Sequence, residues 1–240
     1  LAYVETSYYL GRLEHLNSEY ELAITHFKTY NDAKGFKAFS EDDIDDLIAK
    51  SKTAIEYEKN VDNSILVKNL GESVNSEFPE YAPLIPVDES VLYFTSRRQN
   101  ATWKDKDPIG DYFEDIYSSQ RLDNKWQAPA MLDTTINTSV HDACTGLSAD
   151  GQKMLFFRTS PDLLTGNIFE AKRNGDQWQQ PKKMESVVNS EESAETSACY
   201  APDGDVVFFS STRPGGYGGK DIYVVKKLPT GEWGIPYNLG

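Results

Sequence analysis

The chain has 240 residues and a mass of 27.0 kDa, which is enough to bury a sizeable core in one or two domains. Its formal net charge of −14 argues against binding to nucleic-acid phosphates or to an anionic membrane surface, and favours a neutral or basic partner. No apolar run has the length of a membrane span, and no signal-peptide pattern is found. Cys144 and Cys199 form no CxxC motif, so we expect two buried free thiols rather than a disulfide or a zinc site.

Apolar residues at helical spacing predict three helices at the start of the chain. The apolar stripes lie within residues 9–16, 22–30 and 44–55. Asn17-Ser18 is a predicted turn between the first two helices. Ser40-Glu41-Asp42-Asp43 has the pattern of a capping box, and its acidic residues suit the N-terminus of a third helix. We expect a domain boundary at residues 60–63.

The helical segment resembles the tetratricopeptide repeat, a helix pair of about 34 residues. The resemblance is carried by Leu10-Gly11, followed by Ala23 and Phe27, and the small residues would let two helices approach closely. The proline usual at the end of that repeat is missing, and Gly35 is the predicted helix stop. We interpret residues 1–60 as a helical cap on the next domain. A peptide-binding groove completed by upstream repeats is the alternative.

Residues 61–240 contain one pattern three times. Each copy has an acidic residue, a β-branched or aromatic run, an Asp/Asn-Ile-aromatic segment and a WxxP motif, in that order. The acids are Glu80, Asp142 and Glu195, and the tryptophans are Trp126, Trp178 and Trp233. An asparagine also precedes each acid. A period of about 50 residues with four short strands predicts β-propeller blades.

We predict that the inner strand comes first in each blade, the aromatic strand second, the Ile-aromatic strand third, and the WxxP strand outermost. The predicted inner strands are residues 81–85, 143–147 and 196–200. The predicted blades are residues 68–130, 131–182 and 183–236, with a fourth starting at 237 because Tyr237-Asn238-Leu239-Gly240 matches Lys68-Asn69-Leu70-Gly71. The fold class is therefore α+β multidomain, with four-stranded antiparallel repeats. Three blades leave the ring incomplete, and we expect a fragment with domains missing at both ends.

The third repeat is similar to the WD-like, TolB-related PD-repeat propeller family. The similarity is carried by Ala201-Pro202-Asp203-Gly204, by the segment 208–223 with its GGYGG loop, and by Trp233. It implies that Asp203, Gly204, Asp221 and the three tryptophans are structural repeat residues. The second repeat has Ser148-Ala149-Asp150-Gly151 and lacks the glycine loop.

A tetratricopeptide-like segment directly before such blades resembles the PorE-type, OmpA-family lipoproteins of the Bacteroidota type IX secretion system. That resemblance implies a protein in the periplasm that is associated with the outer membrane through further domains. It also implies partners among envelope or secretion-machine proteins, and peptidoglycan contact through a C-terminal domain that this chain lacks.

The residues give no catalytic constellation, so we expect no enzyme, no cofactor and no metal. His15, His26 and His141 are scattered, and the GxSxG, HExxH and P-loop motifs are absent from the sequence. His141 beside Asp142 is a candidate acid–base pair, although a strand-entry turn is the favoured interpretation.

The recurring acids Glu80, Asp142 and Glu195 have two interpretations. They could form a ring at a channel mouth that holds a cation or a basic peptide. The favoured interpretation is that each binds backbone amides or caps a turn. Arginines recur at the ends of the second strands, at Arg97, Arg98, Arg158 and Arg213. We expect them to pair with Asp115 or Asp221 of the third strand, with anionic-ligand recognition as the alternative.

The long insertion at residues 99–114 is the predicted partner-binding loop, because long loops on rigid scaffolds often carry binding. Its candidate contact residues are Trp103, Lys104, Asp105, Lys106, Asp107 and Tyr112. The three WxxP tryptophans are expected to pack between blades, with sugar stacking as the minority interpretation.

These observations favour a non-enzymatic periplasmic scaffold of an envelope complex, most specifically of type IX secretion. A glycan- or peptidoglycan-binding propeller is the first alternative. A propeller that gates a peptidase domain is the second.

Overall fold

The computed structural model describes residues 2–60, 64–99, 102 and 105–240, with side chains from Val4 onward. The chain divides into two compact units, Leu1–Lys68 and Asn69–Gly240. The expected boundary at 60–63 lies earlier than this division, and residues 61–63 are outside the described part. In the described part, no helix combines the length and the apolar character needed to cross a membrane.

The first unit consists of three helices, α1 (Ala2–Leu16), α2 (Tyr20–Asp32) and α3 (Glu41–Lys59). The predicted capping box is present: the Ser40 hydroxyl accepts from the Asp43 N–H, and the Asp43 carboxylate accepts from the Ser40 N–H. Ser18, at φ 64°, makes the turn between α1 and α2. Three helices agree with the prediction, while their likeness to a tetratricopeptide repeat remains one of sequence.

The core of the helical unit lies on a different face of α1 from the one predicted. It is formed by Tyr8, Ala23, Ile24, Phe27, Tyr30, Ile44 and Ile48. A Cβ at Gly11 would lie 2.7 Å from Phe27 Cε1, so glycine is what allows α1 to approach α2 here. The predicted stripe at 9–16 is largely exposed, with Leu13 at 63% and Leu16 at 75%. Close approach through Gly11 turns those leucines away from α2.

The second unit contains three antiparallel sheets in chain order. The first sheet has β1 (Glu80–Leu84), β2 (Val91–Ser96), β3 (Asp115–Leu122), β4 (Lys125–Trp126) and β5 (Ala130–Met131). The second sheet has β6 (Asp142–Leu147), β7 (Lys153–Thr159), β8 (Gly166–Asn174), β9 (Gln177–Trp178) and β10 (Lys182–Lys183). The third sheet has β11 (Ala198–Tyr200), β12 (Val206–Ser211), β13 (Asp221–Lys226) and β14 (Tyr237–Asn238).

Each sheet repeats the same strand order, and its first three strands occupy the positions predicted for them. The first strand pairs with the second and the second with the third. The WxxP segment supplies part of the outermost strand, as predicted, and the residues after the proline supply the rest. Its tryptophan forms a short hairpin at the far end of the third strand, and the chain after the proline returns to pair nearer the start of that strand. Proline has no N–H to donate to a ladder, so pairing resumes only beyond it.

The strand at Tyr237–Asn238 corrects another prediction. It pairs with Tyr223 and Val224 of β13, as Ala130–Met131 and Lys182–Lys183 pair with β3 and β8. The segment from 237 therefore completes the third sheet rather than starting a fourth.

The core of the β unit lies between neighbouring sheets. One cluster joins the first and second sheets, with Tyr93, Ile116, Met154 and Phe156 among its members. A second cluster joins the second and third sheets, with Leu155, Ile168, Val207 and Phe209 among its members. Alternate residues of one strand thus face opposite neighbours, as the two-residue period of a strand requires.

Candidate functional site

An acid and an arginine meet in each of the three sheets. Arg98 Nη2 lies 2.9 Å from Glu80 Oε1, Arg158 Nε lies 2.6 Å from Asp142 Oδ1, and Arg213 Nη2 lies 3.5 Å from Glu195 Oε1. The carboxylate side chains are 12%, 0% and 2% exposed. Each acid therefore has its cation beside it in a largely buried position.

Each acid also binds the loop that leads into its own strand. The N–H of Ser76 donates to Glu80 at 3.2 Å, that of Thr138 donates to Asp142 at 2.7 Å, and that of Ser190 donates to Glu195 at 3.2 Å. The arginines donate to backbone carbonyls of the same loops, those of Val74, Ile136 and Val188. This geometry supports the interpretation of the acids as loop anchors, because neutralised and buried carboxylates do not offer a cation site.

The arginines also stack on aromatic rings in every sheet. Arg98 lies 5.4 Å from the Phe94 ring and 4.9 Å from the Tyr117 ring. Arg213 lies 4.7 Å from the Phe209 ring and 4.9 Å from the Tyr223 ring. A guanidinium held between a carboxylate and two ring faces is fixed in position, and it neutralises the buried acid.

The ion pairs of these arginines differ from the prediction, which placed their partners at Asp115 or Asp221 of the third strand. They run to the acids at the start of the first strand. Register explains the irregular position of Arg158: it lies opposite Asp142, in the place that Ser96 holds opposite Glu80. The shorter aspartate and the earlier arginine recreate the same contact. The sequence pattern alone could not show that a shorter acid on the first strand is matched by an earlier arginine on the second, because the two residues lie on different strands.

The recurring asparagines have a role that the sequence did not indicate. Asn137 accepts from the Ile116 N–H at 2.7 Å and donates to the carbonyls of Ile116 and Leu132, both at 2.9 Å. Asn189 makes the same three contacts with Ile168 and Met184. Each buried asparagine therefore ties the loop that enters one sheet to the third strand of the sheet before it. The sequence signal that could have indicated this role is the regular spacing of the asparagines, which lie five or six residues before each acid.

The candidate partner-binding loop is anchored through Arg97. Its guanidinium lies 3.2 Å from Asp107 Oδ2, 3.2 Å from Asp111 Oδ2 and 3.1 Å from Glu114 Oε1. Asp107, predicted as a contact residue, is buried and accepts the backbone N–H groups of Ile109 and Asp111. It therefore shapes the loop.

The other predicted contact residues of this loop divide into three groups. Trp103 and Lys104 lie outside the described residues. Lys106 Nζ lies 4.9 Å from the Tyr112 ring, which is packed edge-on against Phe78 at 5.6 Å. Asp105 is exposed. Asp105, Lys106 and Ile109 are among the accessible side chains near the loop tip, and Ile109 is 79% exposed.

His141 closes the base of the loop. Its Nδ1 accepts the Glu114 N–H at 3.2 Å, and its Nε2 lies 3.8 Å from Asp107 Oδ2. Burial and the nearby Arg97 lower the pKa of His141, against the opposing effect of Glu114, Asp107 and Asp142. A neutral ring that accepts a backbone hydrogen bond supports a structural role rather than the candidate acid–base pair with Asp142. Burial raises the pKa of Asp142 although Arg158 opposes this.

The loops between the second and third strands lie at one end of the β unit, because the three sheets share one strand order. Each exposes an apolar side chain at its tip: Ile109 in the first loop, Leu164 in the second and Tyr217 in the third, at 79%, 84% and 84%. We call these three residues the tip residues. Asp221 supports the third loop by accepting the Tyr217 N–H at 2.8 Å. Exposed apolar groups on anchored loops are suited to protein contacts.

The remaining repeat residues occupy packing and turn positions. Trp178 lies 5.7 Å from the Tyr93 ring between the first and second sheets, Trp233 packs against the cluster between the second and third, and Trp126 packs against a smaller cluster of the first sheet. Asp203 accepts the Asp205 N–H at 3.1 Å, and Gly204 has φ 72°. The latter two form a tight turn.

The cysteines are both free, but only Cys144 is buried as expected. Burial raises the pKa of the Cys144 thiol to about 12. Cys199 is exposed in a groove that Thr145 of the second sheet also lines, which corrects its predicted burial. Among the described residues, no group of three or more His, Cys, Asp or Glu side chains could hold a metal ion.

Comparison with solved structures shows similarity to TolB proteins. TolB from Acinetobacter baumannii matches with a TM-score of 0.43 and 19% identity, over 68% of this chain and 33% of that one. A putative TolB from Agrobacterium tumefaciens matches with a TM-score of 0.37 and 16% identity, over 63% of this chain and 59% of that one. A prolyl endopeptidase matches with a TM-score of 0.38 and 14% identity, over 68% of this chain and 21% of that one.

This chain spans less than two thirds of the length of each of these three proteins. No protein-family model matches the chain, and no curated protein does.

Proposed function

We propose that this chain is a non-enzymatic scaffold that binds other proteins in the periplasm of a Bacteroidota cell, as part of the type IX secretion machinery. The observation that carries the proposal is the end of the β unit that bears the tip residues. Three loops at this end, each held by its own internal contacts, each carry one exposed apolar side chain. The assignment to type IX secretion is supported by the order of a tetratricopeptide-like segment and PD-type repeats in the sequence.

The chemistry of the polar clusters supports a scaffold. The Arg–acid pairs are occupied by each other and by loop carbonyls, so they position loops. His141 is used by Glu114 and Asp107 in the same way. The recurring polar groups thus hold the loops at this end of the β unit in place.

The experiment is a crosslinking pull-down from native envelopes with the full-length protein, read by mass spectrometry. One variant carries Ile109→Asp, Leu164→Asp and Tyr217→Asp. The matched control carries Val87→Asp, Leu122→Asp and Ile235→Asp, which alters three exposed apolar residues outside the three loops, at 80%, 60% and 92% exposure. We expect the wild type and the control to recover secretion-machine subunits, and the tip variant to lose most of them.

Two results would overturn the proposal. Equal recovery by the tip variant and the control would remove the role of the loop end. Recovery of glycan or peptidoglycan fragments without secretion proteins would favour a glycan-binding module instead. Circular dichroism of each variant checks that the β unit is folded.

A further inference from the structure

Six loops of the β unit lie at the end that carries the tip residues. In the first sheet Glu80, at the start of the first strand, pairs with Ser96, at the end of the second, and the second sheet has the same register. In the third sheet the Thr212 N–H donates to the Ala194 carbonyl at 3.3 Å. The loop that enters each sheet therefore lies beside the loop between its second and third strands. We call residues 76–79, 105–114, 138–141, 160–165, 190–197 and 212–220 the loop end.

The loop at 160–165 holds its tip residue on a strained but closed backbone. Leu163 has φ 60°, in the left-handed region that glycine favours. The Ser160 N–H donates to the Thr165 carbonyl, and the Ser160 carbonyl accepts the Leu163 N–H, both at 2.9 Å. Asp162 Oδ1 accepts the Leu164 N–H at 3.0 Å. A backbone of this kind persists only where its surroundings fix it, so Leu164 is held in one exposed position that suits an anchor for a partner.

The exposed charged side chains of the loop end are mostly acidic. Among its described residues the exposed carboxylates are Glu77, Asp105, Asp111, Asp162, Glu191 and Glu192. The exposed cations among the same residues are Lys106 and Lys220. This surplus of carboxylates gives the loop end a negative potential, which attracts cations and repels other anions.

The arginines at this end do not offset that charge, because buried or nearby acids already bind them. Arg97 faces three carboxylates, those of Asp107, Asp111 and Glu114. One cation against three carboxylates leaves this group with a net charge of −2. Burial lowers the pKa of His141 beside it, so this histidine adds no charge at neutral pH. The first loop thus carries negative charge at its base as well as at its surface.

We infer that the loop end binds a segment of another protein in which apolar side chains are flanked by lysines or arginines. The inference rests on the proposed function and adds the chemistry of the partner. The tip residues contact the apolar side chains, and the carboxylates around them bind the cations. Apolar contact supplies affinity, while complementary charge speeds association and selects against acidic partners. The same charge disfavours an anionic membrane surface as the occupant.

The probes are three labelled peptides of about 16 residues that share the same leucines. At the same remaining positions they carry lysine, glutamine or glutamate. Their binding to the full-length protein is measured by fluorescence anisotropy. We expect the lysine peptide to bind about tenfold more tightly than the glutamine peptide, and the glutamate peptide to bind least. The preference should shrink as salt rises from about 0.05 to about 0.5 M, because exposed charges are then screened.

The decisive arm compares two variants that each remove four negative charges. The loop-end variant carries Glu77→Gln, Asp105→Asn, Glu191→Gln and Glu192→Gln. The matched control neutralises four exposed acids in turns at the opposite end of the sheets, with Asp123→Asn, Asp176→Asn, Asp205→Asn and Glu232→Gln. Their net charges are equal, so only the location of the charge differs. We expect the loop-end variant to bind the lysine peptide about tenfold more weakly, and the control to stay within about twofold of the wild type.

A third variant tests the apolar contribution without a change of charge. It carries Ile109→Ser, Leu164→Ser and Tyr217→Ser. We expect its affinity for the lysine peptide to fall by about tenfold as well, since apolar contact and charge act together. Circular dichroism of the three variants checks that the β unit is folded.

Four outcomes would overturn the inference. They are equal binding of the three peptides, equal weakening by the loop-end variant and its control, undiminished binding by the serine variant, and binding of the tip residues to phosphatidylcholine vesicles in preference to the peptides. The envelope pull-down separates this result from the proposed function. Loss of secretion-machine subunits in the tip variant, together with no charge preference among the peptides, would leave the proposed function standing and remove only the basic partner.

Discussion

The side chain of Asn137 binds both backbone polar groups of Ile116, accepting from its N–H at 2.7 Å and donating to its carbonyl at 2.9 Å. Both residues are fully buried. A single amide thus satisfies the backbone of one sheet with a side chain from the loop of the next. It fixes the spacing of the two sheets in a way that apolar contact alone does not.

Replacement of Asn137 by Ala should destabilise the β unit by about 2 kcal/mol, because the Ile116 N–H and the Leu132 carbonyl lose a buried partner. All four tryptophans of the chain lie in the β unit, so tryptophan fluorescence during urea unfolding measures this unit specifically. Asn189→Ala should show a similar loss. Exposed Asn174→Ala is the control, and an equal loss there would contradict the assigned role.

Replacement of Arg158 by Met should destabilise the β unit by about 3 kcal/mol, since it leaves the fully buried Asp142 carboxylate without its cation. The double variant Asp142→Asn, Arg158→Met should recover part of this loss, because the uncompensated charge is removed. Urea unfolding of the two single variants and the double variant gives the coupling energy. Additive losses would show that the pair is not coupled.

The stability of the β unit should fall as the pH drops below about 6.5, in part through His141. Burial lowers the pKa of this histidine in the folded state, so the unfolded chain takes up a proton first. Its stabilising contribution is complete above the unfolded pKa and is lost as the pH falls toward the folded one. Protonation would also remove the acceptor for the Glu114 N–H.

The measurement is urea unfolding of the wild type and His141→Gln at a series of pH values between about 5 and 8. The groups that face the ring are Glu114, Asp107, Asp142 and Arg97. The difference in unfolding free energy between the two proteins should shrink as the pH falls. A constant difference across the range would exclude His141 as the source.

Gly11→Ala should destabilise the helical unit by about 1–3 kcal/mol, even though alanine favours helices. The added Cβ would lie 2.7 Å from the Phe27 ring, which is fully buried and cannot withdraw. Hydrogen exchange of α1 and α2 measures the effect. Combining the change with Phe27→Leu should restore part of the protection, whereas a stabilised single variant would show that the ring can move.

The sequence alone determined the local elements. Helical spacing and a capping box located the three helices, and a period of about 50 residues located the first three strands of each sheet. It also identified Glu80, Asp142, Glu195 and the arginines as recurring. These features depend on residues close in the chain, where side-chain spacing and turn chemistry leave few conformations open.

Only the tertiary structure decided which recurring residues meet. The arginines bind the first-strand acids, Asp107 is buried by Arg97, and Tyr237–Asn238 pairs within the third sheet. A two-residue strand can pair with any available edge, and a long charged side chain can reach several partners. Their choice depends on backbone groups and burial contributed by distant segments. Sequence periodicity therefore predicts the repeating unit, while packing between the sheets decides which polar groups of that unit bind each other.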